Sequence, residues 1–467
     1  MASNIRLTAE WVAAAMGGTI AKSGALDEFF GVSIDTRTLK AGELYFGIRG
    51  DRFDGADFAA AAMEAGATGV VVPRGRAVDD VEGAVVIEVD DTTSALQALA
   101  HATRKASGTK VVAITGSAGK TTTKEVTAEF LGTTYRVIRN RGNLNNHIGL
   151  PLSLMELTSR PDVAVVELGM NHAGEISTLV RITEPDVRVW TNVGEAHLGF
   201  FASVDAIADA KAEILDGATA GSILVANADD DRVASRASRF AGTVTTFGIE
   251  RDATVHADDI VDRGIEGTNA RVTTPRGSFE LSTPLVGRGN LANVLAATAV
   301  GLHFEVPLSS MAERAASLKP AHHRGDVVRL ARSVIVVDDS YNANPTATRR
   351  AIEVLRSSRP AGRRVAVIGE MLELGDRAIP LHEGVGRAVV AAGVDELVAV
   401  GGEPSKAMAD AAVAAGMSRT HVRYFATSDQ AADAFEAYIH EGDLVLVKGS
   451  RGIRTDVVVD RLKAEFA

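Results

Sequence analysis

The chain has 467 residues, of which 46% are hydrophobic and 23% charged, and 60 acidic against 49 basic side chains give it a formal net charge of −11. This is globular composition with room for about three domains, and an acidic balance without a long basic run argues against nucleic acid as a partner. Cysteine is absent, which excludes disulfides, thiolate metal sites and a cysteine nucleophile. The N-terminus lacks a basic region followed by an apolar core, and no apolar stretch reaches membrane-span length, so a cytoplasmic protein without a membrane partner is expected.

In chain order, short apolar runs at 44–48, 69–72 and 85–89 read as strands and 93–105 as a helix, before a boundary at Ser107-Gly108. A second segment alternates strands at 111–114, 163–168, 187–192 and 223–227 with helical patterns, as parallel α/β units do. Its Thr- and Val-rich stretches at 271–274 and 278–281, parted by Pro275-Arg276-Gly277, read as an antiparallel addition. A break at Leu318-Lys319-Pro320 opens a third α/β pattern, with strands at 334–337, 365–368, 397–400 and 444–447 and helices that include 347–357 and 405–415. Three segments follow, 1–107, 108–318 and 319–467.

The strand at 111–114 runs into Gly116-Ser117-Ala118-Gly119-Lys120-Thr121-Thr122, and helical periodicity begins at 124–131. Strand, glycine turn and helix start bring backbone N–H groups and the positive helix end to one place, which suits a phosphate chain. The glycines admit close approach, Lys120 can reach terminal phosphates, and the Thr121 hydroxyl suits Mg2+. The form T-G-x-x-G-K-T is shorter than the usual phosphate loop and marks a narrower group of ATP users. Its competitor is a glycine turn beside a surface lysine.

Two further groups stand where strands end, the place where open α/β sheets bind ligands. Glu167 closes the run at 163–168, and His197 follows the run at 187–192 within Val193-Gly194-Glu195-Ala196-His197. Taken singly, the first is more commonly a solvated or helix-capping carboxylate and the second a structural histidine.

The phosphate loop, Glu167, His197, Lys211 and the tail Lys448-Gly449-Ser450-Arg451 together resemble the Mur ligases. These are cytoplasmic, ATP-dependent, amide-bond-forming enzymes that build the peptide stem of bacterial peptidoglycan on a UDP-linked sugar. The resemblance runs over essentially the whole chain. It implies an α/β, three-domain architecture with an N-terminal UDP-substrate domain, a central phosphate-loop domain and a C-terminal Rossmann-like domain.

Within the family, Asn143-Leu144-Asn145-Asn146-His147, the segment 167–176 and Asp338-Asp339-Ser340-Tyr341-Asn342-Ala343-Asn344-Pro345 are similar to the branch that adds a D-alanyl-D-alanine dipeptide. The branch that adds the third stem residue typically carries an Asp-Tyr-Ala-His-Thr-Pro-like segment instead. Ser33-Ile34-Asp35-Thr36-Arg37 and 50–58, with Asp54 and Gly55, resemble the UDP-recognition region. Without the resemblance they read as surface turns.

The resemblance implies UDP-N-acetylmuramoyl-tripeptide and D-alanyl-D-alanine as substrates, ATP and Mg2+ as cofactors, and a monomer. It places Gly116–Thr122, Asn290, Arg324 and Asp339 at the nucleotide, and Asp35, Thr36, Arg37, Asp54, Gly55, Asn143, Asn145 and Asn146 at the UDP substrate. Tyr341, Asn344, Lys448 and Arg451 fall to the dipeptide or to orienting the last domain. Lys120, Glu167, His197 and Lys211 carry the chemistry, with Thr121, Glu167, His197 and Lys211 as metal ligands.

An ammonium about 4 Å from Mg2+ is repelled by roughly 8 kcal/mol at an effective dielectric near 20. Lys211 therefore ligates only as the carbamate that the resemblance implies; the residues alone favour an exposed helix lysine paired with a neighbouring acid. Departures from the family are Gly289, where a histidine is common, and His322-His323-Arg324, where Pro-Gly-Arg is common. The rival readings are a folate-polyglutamating ligase and a non-catalytic ATP-binding partner of another cell-wall enzyme.

Overall fold

The computed structural model describes residues 4–50, 52–78 and 81–467. Asp51, in the Asp-Gly-rich N-terminal motif, lies outside the described residues. Contacts divide the chain into two compact units, Met1–Ala113 with Tyr135–Met170 and Gly174–Val187, and Ile114–Thr134 with Asn171–Ala173 and Arg188–Ala467.

In the first unit a five-stranded sheet runs Thr19–Lys22, Val85–Val89, Gly69–Pro73, Leu44–Phe46, Val32–Ser33. All neighbours are parallel except the first pair. Tyr45, Val70, Val72 and Val86 bury one face against Ala56, Ala59 and Ala62. The three inner strands are the apolar runs legible in the sequence. The helix Thr92–Ser107 starts where the Asp91 side chain accepts from the Ser94 N–H at 2.6 Å and stops at Gly108, whose φ of +70° suits a residue without Cβ. Arg104 near its end donates to the Thr183 carbonyl at 2.8 Å and to Asp186 at 2.9 Å.

A nine-stranded sheet follows the order Gly277–Thr283, Thr268–Thr274, Val255–Asp262, Thr243–Gly248, Ile223–Asn227, Val187–Trp190, Lys110–Thr115, Val163–Glu167, Val137–Arg139. Pairing is parallel from Ile223–Asn227 through Val255–Asp262 and antiparallel beyond. The expected antiparallel addition is therefore present. Its hairpin pairs Thr274 with Gly277 across Pro275-Arg276, and Gly277 has φ +116°.

A six-stranded sheet in the second unit runs Asp326–Arg329, Ile335–Asp339, Leu444–Lys448, Arg364–Gly369, Glu396–Val400, Val422–Phe425, parallel apart from its first strand. Apolar residues at nearly every position mark strands buried on both faces. Val336, Val367, Val398 and Val445 pack with Phe435, Tyr438, Leu462 and Phe466 on one side. Among the described residues, no helix is long and apolar enough to cross a membrane.

Candidate active site

The loop after Lys110–Thr115 is held from the neighbouring strand end. Asn192 accepts from the Ala118 N–H at 2.9 Å and donates to the Ala118 carbonyl at 3.0 Å, while its own carbonyl takes the Ser117 N–H at 3.0 Å. The Thr191 hydroxyl donates to the Ala118 carbonyl at 2.7 Å, and Ser117 Oγ accepts from the Gly194 N–H at 2.9 Å. A Cβ at Gly116, whose φ is +150°, would collide with Thr191 Oγ1. Glycine there is a packing requirement.

The N–H groups of Ser117 and Ala118 are thus engaged within the loop, which leads into the helix Lys120–Leu131. Its first i→i−4 bond runs from the Thr123 N–H to Gly119, so the N–H groups of Lys120, Thr121 and Thr122 lie ahead of the helical ladder at its positive end. Lys120 folds back onto the Gly116 carbonyl at 2.9 Å. Gly119 has φ +81°, and a Cβ there would collide with Asn293 Oδ1.

Asn293 sits on the helix Gly287–His303, which packs along Lys120–Leu131. It accepts from Thr123 Oγ1 at 3.2 Å and donates to Asn290 at 3.1 Å, and Asn290 donates to the Val286 carbonyl at 2.9 Å. Asn290, expected at the nucleotide, thus orients Asn293 behind the loop. Gly289 lies against Arg350 Cδ, which a Cβ would meet at 3.3 Å.

Glu167 is buried at the end of Val163–Glu167. Asn145 donates to its carboxylate at 2.9 Å, and Asn140 accepts from its backbone N–H at 3.0 Å. Asn145, expected at the UDP substrate, is therefore in contact with the candidate metal ligand. Asn146 accepts from the Gly149 N–H at 2.8 Å just ahead of the helix Gly149–Leu154, and the Asn143 carbonyl takes the Asn145 N–H at 2.8 Å.

His197 has φ +62°, and its Nδ1 meets Glu373 Oε2 at 2.6 Å. The hydrogen bond from His197 holds the Glu373 carboxyl below the usual carboxylate range. Two residues earlier, Glu195 accepts from Thr346 Oγ1 at 2.5 Å and pairs with Arg349 at 3.0 Å. Burial pushes the Glu195 carboxyl up, but the bond from Thr346 and the charge of Arg349 outweigh it and leave it below its ordinary value. Lys211, on the helix Val204–Ala212, is 1% exposed. That burial overturns the reading of an exposed helix lysine. Among the described residues, no three His, Asp or Glu side chains converge as a ready metal site.

At the carboxyl end of the six-stranded sheet, Lys448 donates to Asp339 at 2.6 Å and to the Asn342 carbonyl at 3.0 Å. The Tyr341 ring lies between two guanidinium groups, Arg324 at 4.3 Å and Arg451 at 5.7 Å. Residues expected separately at nucleotide and dipeptide form one cluster. Asn344 caps the helix Pro345–Ser357, accepting from the Ala347 N–H at 2.8 Å, and donates to the Ser117 carbonyl at 3.3 Å.

The departure at 322–324 has a local explanation. His323 adopts φ +58°, which favours the glycine common in the family, and is held there by Asp338 Oδ2 at 2.7 Å and by the Tyr341 N–H on its carbonyl at 3.1 Å.

In the N-terminal segment, Arg37 beside Asp35 holds that carboxyl down to about 2. Thr36 lies between them in the turn. Asp54 accepts from the Ala56 N–H at 3.0 Å, and Tyr45 donates to the Gly55 carbonyl at 2.9 Å. A Cβ on Gly55 would press into the Ile48 backbone. Asn192, Asn293, Asn140 and Glu373 escaped the sequence reading. Asn192 alone had a signal, as the last polar residue of a strand beside the loop.

Comparison with known proteins agrees along the chain. Residues 28–104 match the description "Mur ligase family, catalytic domain", 114–301 "Mur ligase middle domain" and 323–451 "Mur ligase, glutamate ligase domain". The UDP-N-acetylmuramoyl-tripeptide--D-alanyl-D-alanine ligase of Bacillus subtilis is 34% identical over 432 residues, 92% of this chain and 93% of that protein. A crystal structure of MurF from Acinetobacter baumannii is similar with a TM-score of 0.89 and 30% identity, covering 99% of this chain and 100% of that one. MurF ligase from Thermotoga maritima in complex with ADP gives a TM-score of 0.82 and 28% identity, covering 93% of this chain and 97% of that one. By its three matched segments, its identity to that ligase along nearly its whole length and its fold, this chain belongs to the Mur ligase family.

Proposed function

We propose that this protein joins D-alanyl-D-alanine to UDP-N-acetylmuramoyl-tripeptide with conversion of ATP to ADP and phosphate, making UDP-N-acetylmuramoyl-pentapeptide for peptidoglycan. The carrying observation is the phosphate loop clamped on Asn192, in a chain 34% identical to a ligase of that name over 92% of its length. A relative solved with ADP supports the nucleotide. The folate-ligase alternative gives way to this reading.

The tripeptide's terminal carboxylate attacks the γ-phosphorus of ATP, forming an acyl phosphate and releasing ADP. The free amine of the dipeptide then attacks the acyl carbon, and the tetrahedral species loses its proton and expels phosphate. Several anionic oxygens must approach one another, so catalysis is positioning and charge neutralisation. Lys120 and the N–H groups at the start of its helix neutralise the phosphates. Gly116, Ser117, Ala118, Gly119, Thr121 and Thr122 shape that cradle, while Asn290, Arg324 and Asp339 serve the nucleoside side.

One Mg2+, held by Thr121 and Glu167, would supply further neutralisation of the β- and γ-phosphates, and a second, served by His197 and Lys211, would bind the acyl phosphate. The buried Glu167 carboxylate fits a cation, and so does Lys211 once carbamylated. Burying an ammonium is costly, whereas a carbamate on the same stem is a carboxylate-like ligand. Asp35, Thr36, Arg37, Asp54, Gly55, Asn143, Asn145 and Asn146 serve the UDP substrate, and Tyr341, Asn344, Lys448 and Arg451 the dipeptide. The labour divides over 1–107, 108–318 and 319–467, in a cytoplasmic monomer.

Incubation with ATP and either the lysine or the diaminopimelate UDP-tripeptide, with and without D-alanyl-D-alanine, tests the reading. Mass spectrometry should show the UDP-tripeptide gaining one dipeptide. Addition of glutamate or of single amino acids would overturn it.

A further inference from the structure

Glu373 belongs to the segment matched by the glutamate ligase description, and His197 to the one matched by the middle-domain description. Their side chains meet at 2.6 Å, Nδ1 to Oε2, and the Gly199 N–H also donates to the Glu373 carbonyl at 2.7 Å. Both residues have left-handed backbones, φ +62° and +64°. Non-glycine residues persist there only where surrounding contacts over-determine them, and such sites concentrate where function needs a fixed geometry.

The loop that carries Glu373 is anchored at its base. The buried His382 accepts from the Met371 N–H at 2.9 Å on Nε2 and donates from Nδ1 to the Ala378 carbonyl at 2.7 Å. Ser450 Oγ takes the Leu372 N–H at 2.9 Å, and the Val400 carbonyl takes the Glu370 N–H at 2.8 Å. Glu373 thus reaches His197 from a fixed platform.

We propose that Glu373 is a positioning residue for His197. It accepts the Nδ1–H proton, which fixes the ring's tautomer and rotation and leaves Nε2 as the bare, more basic nitrogen for Mg2+. A metal-bound histidine generally donates its other N–H to a carboxylate or carbonyl in this way, and removing that partner typically weakens metal binding about 10- to 100-fold. The carboxylate comes from a different matched segment than the ring, so His197 is set only while the loop 370–377 lies against 197–199. The inference rests on the reading of His197 as a metal ligand.

The test uses the full chain labelled with 15N-histidine, with the His197 signals assigned by their loss in His197→Asn. Without metal, and at alkaline pH where the ring carries a single proton, the parent should show that proton on Nδ1 rather than on Nε2. Glu373→Ala should lose that preference, while Glu373→Gln, whose amide oxygen still accepts, should keep it. Binding of Mn2+ to the ADP-loaded protein, read by electron paramagnetic resonance, should weaken about 10-fold or more in Glu373→Ala and by a smaller factor in Glu373→Gln.

A Glu373→Ala protein with the parent's tautomer and Mn2+ affinity overturns the proposal while His197→Ala still weakens Mn2+ binding. Should Glu373→Ala not fold, the parent's tautomer and Mn2+ affinity in Glu373→Leu, which cannot accept the proton, overturn it. Unchanged Mn2+ affinity in His197→Ala removes the ligand reading itself, and the proposal with it.

Discussion

At the amino end of the six-stranded sheet, Asp443 and Glu396 are 1% and 2% exposed and lie among bases. Asp443 takes two bonds from the Arg363 guanidinium, at 2.7 and 3.2 Å, with the N–H groups of Arg363 at 3.1 Å and His440 at 2.8 Å. Glu396 takes Arg423 at 2.8 Å, His421 at 3.3 Å and Arg363 at 3.4 Å. At the carboxyl end, Asp339 is held by Lys448 alone among the described residues, beside a tyrosine flanked by two guanidiniums.

The charges are of the same kind, and their saturation differs. A carboxylate whose oxygens are all engaged by its own chain ties strands together. One with a single lysine partner at a strand carboxyl end can still receive a ligand. Buried charge by itself therefore does not mark a site; its position along the strands and its remaining bonding capacity do.

The largest expected effects lie at the ligand-facing groups. Lys211→Ala should be nearly inactive and regain measurable activity with acetate or propionate at high concentration, whereas Lys211→Arg should stay inactive because its cation fills the place of the carbamate. Parental activity of Lys211→Ala without additive would end the carbamate role. Lys120→Ala should lower ADP release and product formation together by about 10²–10³-fold with UDP-substrate binding retained. Loss of that binding in a folded variant would contradict the assignment of the UDP substrate to 1–107.

A paired experiment addresses the two sheet ends directly. Asp443→Ala should cost about 3–5 kcal/mol, read as a fall in Tm of roughly 6–20 °C, with turnover per folded molecule near that of the parent. Asp339→Asn keeps an oxygen that can accept from the buried Lys448 ammonium, so it should cost less stability than Asp443→Ala, and it should raise the KM for ATP by about 10-fold or more, because a hydrogen bond to a charged group is worth about 1.5–3 kcal/mol. A reversed pattern would break the comparison.

The smallest effect concerns pH. Burial pushes the His382 imidazole below its ordinary value of 6.5. Below pH 6.5 the unfolded chain binds a proton that the folded one does not, so stability is unaffected above that pH and falls as pH drops. His382→Gln should be less stable than the parent at pH 7.5, and the gap should narrow by pH 5.5 in thermal melts. A gap that widened instead would mean that His382 is charged in the fold.

Legibility differed between elements for physical reasons. The inner strands Val85–Val89, Gly69–Pro73, Glu396–Val400 and Leu444–Lys448 are buried at nearly every position and each holds three or more consecutive apolar residues. Edge strands such as Thr19–Lys22, Val32–Ser33 and Val422–Phe425 need no such run, because solvent or a single neighbour covers them. The hairpin at 274–277 was legible because Pro fixes φ and Gly admits the positive φ that the turn needs.

The phosphate loop was equally local, since its strand, glycines and helix start are contiguous and short-range sterics and N–H geometry settle their shape. So the sequence alone determined the central strands, the turn at 274–277, the loop Gly116–Thr122 and the strand-end placement of Glu167 and Asp339. Tertiary structure decided that Asn192 and Asn293 brace that loop, that Asn145 serves Glu167, that Lys448 closes on Asp339, that Lys211 is buried, and that Glu373 meets His197. Each of those contacts joins residues more than about twenty positions apart, or depends on which face of a helix is covered, and side-chain periodicity along one chain carries neither.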